Sequence, residues 1–456
     1  RMSCSYGPGR YDPEYEDKGR DYPAAYVRWT EKRNMESFQE MVHSGRLELG
    51  FLTTHRFALE EAAKAYDMIL NRSEPFLGIL LQYDTSSPID RRPILRVPQL
   101  KQESDLGVSF VGAGSYAQGN LLPNLPASVE RRSVLTNSGT TSRRVVDKFK
   151  FSQSVSVLSD ILDDEKTNVV FVATRHDTHG KYVTSSIGAG KHVFVEKPVC
   201  LYADELDEIT RLLVSGRDEA PQLMVGYNRR FSPHSARLKD ALNDGPKTIV
   251  YRVNAGTIPS DKWIQDREVG GGRILGEVCH FVDYISWVCD CLPVRVYARA
   301  LPDASHHDDA VSIALEMSDG SVGTVHYFSN GGAGLPKEYV EVHQSGNSVV
   351  VNDFRETRVF GRGKPQVHKT RSQDKGQADM IRQFFASLKA AKRLLPVEQM
   401  YSVMDACFAA QKSLVTHESI DVRQVRSLAS PGDSFAQSGN RVTDQKTKCE
   451  NETINE

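Results

Sequence analysis

Two proton-bearing side chains stand out by their setting. Lys197 ends the run Gly190-Lys191-His192-Val193-Phe194-Val195-Glu196-Lys197-Pro198, where continuous apolar residues stop on a charged pair and a proline. Such a run reads as a strand covered on both faces, and the carboxyl end of such a strand is where open α/β sheets bind ligands. An ammonium there offers positive charge and a proton to a carbonyl or hydroxyl oxygen. Glu196 is the neighbour that holds Lys197 charged; the alternative is a surface ion pair ahead of a helix. His280 follows the triplet Gly270-Gly271-Gly272 on a segment with Glu277, Asp283 and Trp287. Spacings of three and four put these on one helix face. Imidazole is the natural base at neutral pH, oriented by a carboxylate at either side; a satisfied histidine in an amphipathic helix is the plainer alternative.

A third feature is Gly112-Ala113-Gly114-Ser115-Tyr116-Ala117, directly after the apolar run Gly107 to Val111. This is the dinucleotide fingerprint with alanine in its third place. Gly112 permits the tight turn, Gly114 the close approach of a pyrophosphate, and Ala117 close helix packing, with the helix amino terminus facing the phosphates. The next strand end, Leu135-Thr136-Asn137-Ser138-Gly139, lacks the acidic residue that usually holds the ribose hydroxyls. Arg143 and Arg144 suit a 2′-phosphate or a solvated helix start, so NAD and NADP both stay open. Thr174 and His179 end a further strand and suit a nicotinamide pocket or a plain helix start. Asn228, Arg230 and Trp263 suit a polyhydroxyl substrate or a domain interface.

These groups need a scaffold that gathers strand ends. Runs at 107–111, 132–136, 169–173, 192–195 and 223–226 alternate with helical stretches at 141–149, 157–163, 178–189 and 203–215. That alternation predicts a doubly wound parallel sheet. From Tyr227 to Val425, strand-like runs come in succession at 248–253, 294–299, 310–316, 321–328, 339–344 and 348–352, as in an antiparallel sheet, with helices at 275–289, 377–391 and 398–414. The expected organisation is therefore a unit at 1–84, a proline-interrupted linker at 85–104, a Rossmann domain at 105–226, a second α/β domain at 227–425 and a polar, disordered tail at 426–456. Within the first unit, helices are expected at 35–44 and 59–70 and a strand at 78–83.

Composition excludes several classes. The 456 residues carry net charge −2, so no basic excess points to nucleic acid. No apolar run approaches the ~18 residues of a membrane span, and no basic-then-apolar leader is present. The seven scattered cysteines suit a reducing cytoplasm better than a disulfide framework. Cys289-Asp290-Cys291 lacks a second ligand pair, and Cys279 and His280 project from different helix faces, so no metal is expected. The chain begins with Arg1 and is read as a fragment.

The glycine turn, Thr174 with His179, Glu196-Lys197-Pro198, the Asn228–Phe231 run and the Gly270–Asp283 block together resemble the Gfo/Idh/MocA family of oxidoreductases, over about Asp105 to Val425. The resemblance implies a Rossmann domain followed by an α/β domain with a large, mostly antiparallel open sheet, use of NAD or NADP, and a homo-oligomer. It implies hydride transfer to or from a sugar, nucleotide sugar or inositol-like polyol. Lys197 would polarise the reacting oxygen and His280 exchange its proton. Gly112, Gly114, Ser115, Tyr116, Ala117, Asn137, Thr174, His179, Glu196 and Lys197 would line the cofactor, and Asn228, Arg230, Trp263 and Asp283 the substrate. Relatives that cleave glycosides through an internal redox cycle, or that sense cofactor without turnover, are the alternatives; the retained Lys197 and His280 argue against the second. One departure stands out. Many members carry aspartate four residues before the histidine, and here that position is Gly276. Glu277 would point about 100° away on a regular helix and is not expected to replace it. Residues 1–84 (Tyr22-Pro23, Tyr26 to Thr30, Thr54 to Phe57, Ala62 to Tyr66) resemble the end of a medium-chain, alcohol-dehydrogenase-like protein. Such fusions are similar to proteins of surface-polysaccharide gene clusters, and no independent activity is expected of this part.

Overall fold

In the computed structural model, which describes residues 7–83, 95–96, 106–215, 221–302 and 309–425, the chain divides into two units, Arg1–Arg91 and Arg92–Glu456. The first unit has a helix at Glu31–His43, capped where the Thr30 hydroxyl accepts from the Arg33 amide. It also has a parallel pair of strands, β1 (Thr53–Ala58) and β2 (Gly78–Gln82), with the helix Ala62–Asn71 between them in sequence. Of its described apolar residues only Ala65 and Met68 are buried.

The second unit holds two sheets. The strands of the first are β3 (Leu95–Arg96), β4 (Gly107–Val111), β5 (Glu130–Leu135), β6 (Gln153–Val155), β7 (Val169–Val172), β8 (His192–Val195) and β9 (Leu223–Val225). Their order is β3-β6-β5-β4-β7-β8-β9, parallel throughout except for the edge strand β3. The six parallel strands follow the doubly wound order in which the chain builds outward one way from β4, then returns to build the other way from β7. Leu95–Arg96 falls inside the expected linker, so that stretch is not linker throughout. The rest of 85–104 and the expected tail at 426–456 lie outside the described residues. Apolar burial on both faces explains why these strands form where they do: β4, β7 and the Val193–Val195 part of β8 are buried at every position. Phe110, Phe171 and Phe194 stack in file across three neighbouring strands at 4.6 and 4.8 Å, and Phe384 and Phe385 of the helix Gln377–Lys389 cap the file.

The second sheet contains β10 (Thr248–Asn254), β11 (Pro293–Ala300), β12 (Val311–Met317), β13 (Val322–Phe328), β14 (Glu338–Gln344), β15 (Asn347–Asn352), β16 (Glu356–Phe360), β17 (Gln366–Lys369) and β18 (Ile420–Asp421). Their order is β17-β16-β15-β14-β10-β13-β12-β11-β18, antiparallel apart from the parallel pair β10 and β13. Buried and more open positions alternate along β12 and β13, as one-sided packing requires. The helices Cys279–Cys289 and Val397–Thr416 pack against one another, and the longer one lies on β11. The fold is thus the expected one, a Rossmann sheet followed by a large, mostly antiparallel sheet. Strands β6, β16, β17 and β18 were not anticipated, because each is short or polar. The expected helix at 275–289 is two pieces: a π-helical turn at Ile274–Val278, then the α-helix from Cys279. No described helix is long and apolar enough to cross a membrane.

Candidate active site

The functional side chains collect at the carboxyl ends of β4, β7 and β8. Gly112 turns the chain after β4 with φ +85°, and a Cβ there would lie 2.4 Å from the Ala173 carbonyl oxygen just past β7. Only glycine fits that approach. At Gly114 a Cβ would meet nothing within 4 Å, and Gly114, Ser115 and Tyr116 are exposed while Ala117 is buried. The turn therefore leaves an open, side-chain-free rim at the point where the strand order reverses, where such sheets bind ligands. The segment behind it is a π-helical turn, Ala117–Leu121, followed by the 3-10 turn Leu122–Asn124. The regular helix expected there is absent. Asn137 is exposed just beyond β5, and Arg143 donates to Asp147 at 2.9 Å. Thr174 accepts from the Thr178 hydroxyl at 2.7 Å.

Lys197 leaves the end of β8 and is largely buried. Its ammonium donates to the Gly276 carbonyl at 2.5 Å and to Glu277 Oε1 at 2.8 Å. Burial works against the charge, but Glu277, with Cys279 and Glu196 adding less, outweighs it and raises the Lys197 pKa. Glu277 responds in kind: burial pushes it up, Lys197 and Lys337 pull it down further, and it settles at about 2. One expectation is corrected here: Glu277, not Glu196, is the chief partner of Lys197. Glu277 lies on a π turn, whose wider i→i+5 winding departs from the faces of an α-helix, and it makes no hydrogen bond to His280 that would replace the missing aspartate. Glu196 is 8% exposed with Oε1 unpartnered, and burial raises its pKa to about 7.

Gly276 cannot simply be filled. A Cβ there would come within 3.2 Å of both the Gly270 carbonyl and the His176 ring. His176 is buried, accepts no proton at neutral pH because burial and Lys197 hold its pKa at about 3, and lies 2.7 Å through Nδ1 from the Gly270 carbonyl. Its ring packs edge-on to Trp263 at 4.9 Å. Of the expected substrate residues, Trp263 alone is open, at 36% exposure. His179 is fully buried, with Nδ1 2.7 Å from the Pro198 carbonyl and Nε2 3.3 Å from that of Thr174. It ties two strand ends together.

His280 is 4% exposed, and neither expected carboxylate orients it. Its Nε2 receives a hydrogen bond from Arg229 Nη1 at 2.9 Å, and its Nδ1 is buried without a partner. Burial, then Arg229 and Lys197, push its pKa well below the usual value. Asp283 instead forms a buried pair with Arg230, Nε to Oδ2 at 3.1 Å, and Asn228 spends its amide on the Lys375 carbonyl and its oxygen on Arg229. Asn228, Arg230 and Asp283 are thus buried and engaged with neighbouring protein groups. Sequence reasoning missed Arg229, Glu338 and Lys375, which meet where Glu338 accepts from Arg229 at 3.0 Å, Lys375 at 2.6 Å and Tyr251 at 2.6 Å. The only local signal was that Arg229 is the first of two consecutive arginines. No group of three or more described His, Cys, Asp or Glu side chains is arranged to hold a metal.

A doubly wound sheet with a glycine turn at its reversal point and a buried, charged lysine two strands along defines an NAD(P)-dependent oxidoreductase. Residues 106–227 match the GFO_IDH_MocA family, described as "Oxidoreductase family, NAD-binding Rossmann fold", and residues 247–349 match the GFO/IDH/MocA C-terminal domain. Over these two spans the chain is similar to the Gfo/Idh/MocA family. It is 26% identical over 245 residues to the inositol 2-dehydrogenase of Rhizobium meliloti (strain 1021), covering 50% of this chain and 72% of that protein. It is 25% identical over 226 residues to the myo-inositol 2-dehydrogenase of Thermotoga maritima, covering 48% of this chain and 66% of that protein. In fold it matches levoglucosan dehydrogenase in complex with NADH and levoglucosan, with TM-score 0.62 and 20% identity over 70% of this chain and all of that one (100%).

Proposed function

We propose that this chain interconverts a hydroxyl and a carbonyl group on an inositol-like polyol or a sugar. The observation that carries the reading is Lys197: an ammonium held in a nearly dry site, with two of its three N–H groups spent on Gly276 and Glu277 and one left over. The dinucleotide fits the chain, since the rim at Gly112 and Gly114 has no side chains to obstruct it. Ser115, Tyr116, Asn137 and Thr174 are the further residues that would hold it. When bound, the dinucleotide supplies the hydride acceptor or donor.

The remaining N–H of Lys197 meets the reacting oxygen and steadies the negative charge that develops there. In a site with little water such a fixed charge is worth more than in solution, and it needs no reorganisation at the moment of reaction. Glu277 and the Gly276 carbonyl aim the ammonium. Trp263, the exposed aromatic, offers an apolar face to a ring substrate. The sugar or polyol class is supported by the inositol dehydrogenases among the relatives. For residues 1–84 we propose no activity of their own.

The test is NADH absorbance during incubation with myo-inositol and NAD, repeated over a panel of sugars and with NADP. Lys197→Ala is expected to lower kcat at least about a hundredfold. Turnover close to that of the parent would remove Lys197 from the chemistry and the reading with it.

A further inference from the structure

Arg229 lies on the 3-10 turn Asn228–Phe231 after β9 and is 8% exposed. Its guanidinium is spent in three directions. Nε and Nη2 donate to Glu338 at 3.2 and 3.0 Å, while Nη1 donates to Asn228 Oδ1 and to His280 Nε2, each at 2.9 Å. Glu338 is itself anchored by Lys375 and by the Tyr251 hydroxyl, so the arginine is held from behind.

A guanidinium only donates hydrogen bonds and does not lose its proton in proteins. The histidine nitrogen facing it must therefore carry a lone pair. A neutral imidazole has one N–H, which then sits on Nδ1, the buried atom without a partner. We propose that Arg229 is a positioning residue that fixes His280 as its Nδ1–H tautomer, so that His280 meets the reacting oxygen as a hydrogen-bond donor and not as the base that takes its proton. The inference rests on the oxidoreductase reading of this site.

The charged groups around the ring agree with that arrangement. Arg229, Lys197, Lys337 and Lys375 all disfavour a second proton on the ring, while Glu277 is bound to Lys197 and Glu338 to Arg229 and Lys375. Proton transfer then falls to Lys197: its ammonium gives a proton to the oxygen as hydride reaches the carbon and, as the neutral amine, takes it back in the reverse direction, while His280 Nδ1 donates a hydrogen bond and keeps its own proton.

The experiment is nitrogen-15 spectroscopy of the full chain labelled at histidine, without cofactor or substrate, with the His280 ring signals identified by their loss in His280→Gln. The expected spectrum at neutral pH shows a neutral ring with its proton on Nδ1. Arg229→Lys keeps a charge opposite Glu338, but a point ammonium cannot span Glu338, Asn228 and His280 together. In that variant the Nε2–H form should appear, and kcat on myo-inositol with NAD should fall at least about tenfold with little change in KM. A parent spectrum with the proton on Nε2, or on both nitrogens, overturns the proposal. So does a lysine variant that keeps the parent tautomer, or one that switches tautomer with kcat unchanged. Should the variant not fold, the parent spectrum alone decides. That arm needs no turnover, so it is read independently of whether myo-inositol is a substrate.

Discussion

Lys197 keeps its charge among buried groups because a carboxylate 80 positions along the chain meets it. Neither residue is affordable alone: an ion left unpaired in such a place costs about 3–5 kcal/mol. The pH dependence follows from the direction of the shift. Glu277 sits at about 2 against its ordinary 4.5. A carboxylate lowered on folding stabilises the native state above its unfolded value and loses that contribution as pH falls toward the folded one. Glu277→Gln is therefore expected to unfold more easily at neutral pH by about 3 kcal/mol, with the loss narrowing between about pH 4.5 and 2. Urea unfolding across a pH series measures both. Parent and variant curves that run parallel through that window would mean the pair contributes nothing. At this scale the sequence was half legible. Lysine at a strand end and histidine after a glycine triplet are visible in one dimension. Their partners are not, because Arg229 meets His280 across 51 positions and Glu338 across 109. The adjacent Glu196 looked like the natural partner of Lys197 only because adjacency is all that a sequence displays.

Elements were more legible than partners, for a physical reason. A strand buried on both faces has to be apolar throughout, and a helix that covers it has to repeat near 3.6 residues, so both leave a pattern. The central Rossmann strands announce themselves in this way, as do β10 to β15. Strands β16 and β17 do not, since their exposed, polar residues are paired by backbone hydrogen bonds that carry no composition. The π turns at Ala117–Leu121 and Ile274–Val278 are similarly silent: one extra residue in a turn leaves no periodicity, yet it decides where Glu277 points. The glycine turn is legible because its chemistry is steric. Gly112 has φ +85° and the Ala173 carbonyl 2.4 Å from where a Cβ would stand. Gly112→Ala should push β4 and β7 apart at the rim and weaken dinucleotide binding at least about tenfold, with a smaller loss in melting temperature. Titration calorimetry with NADH and with NADPH reads the affinity; an alanine variant that binds as tightly as the parent would place the cofactor elsewhere.

At the scale of the whole chain, stability is unevenly distributed between the two units. The contiguous apolar core draws its buried residues from Val108 onward, and it runs through both sheets of the second unit. That continuity explains why the Rossmann strands and the second sheet behave as one compact body, with Phe384 and Phe385 of a late helix closing the aromatic file of the first sheet. The first unit is different. It buries Ala65 and Met68, while Tyr26, Phe51, Leu70 and Leu77 are 90%, 73%, 78% and 70% exposed. A fully buried methionine contributes about 1.5–3 kcal/mol, whereas ordering each residue costs about 1–2 kcal/mol in backbone entropy alone. A segment of this length with so little apolar burial does not hold a fold by itself. Residues 92–456 expressed without Arg1–Arg91 are therefore expected to melt within about 2 °C of the full chain and to bind dinucleotide within about twofold. Residues 1–91 alone should show no cooperative melt by circular dichroism. Loss of cofactor binding on removal of the first unit would mean that the site at the ends of β4, β7 and β8 is not self-sufficient, and that the activity belongs to the two units together.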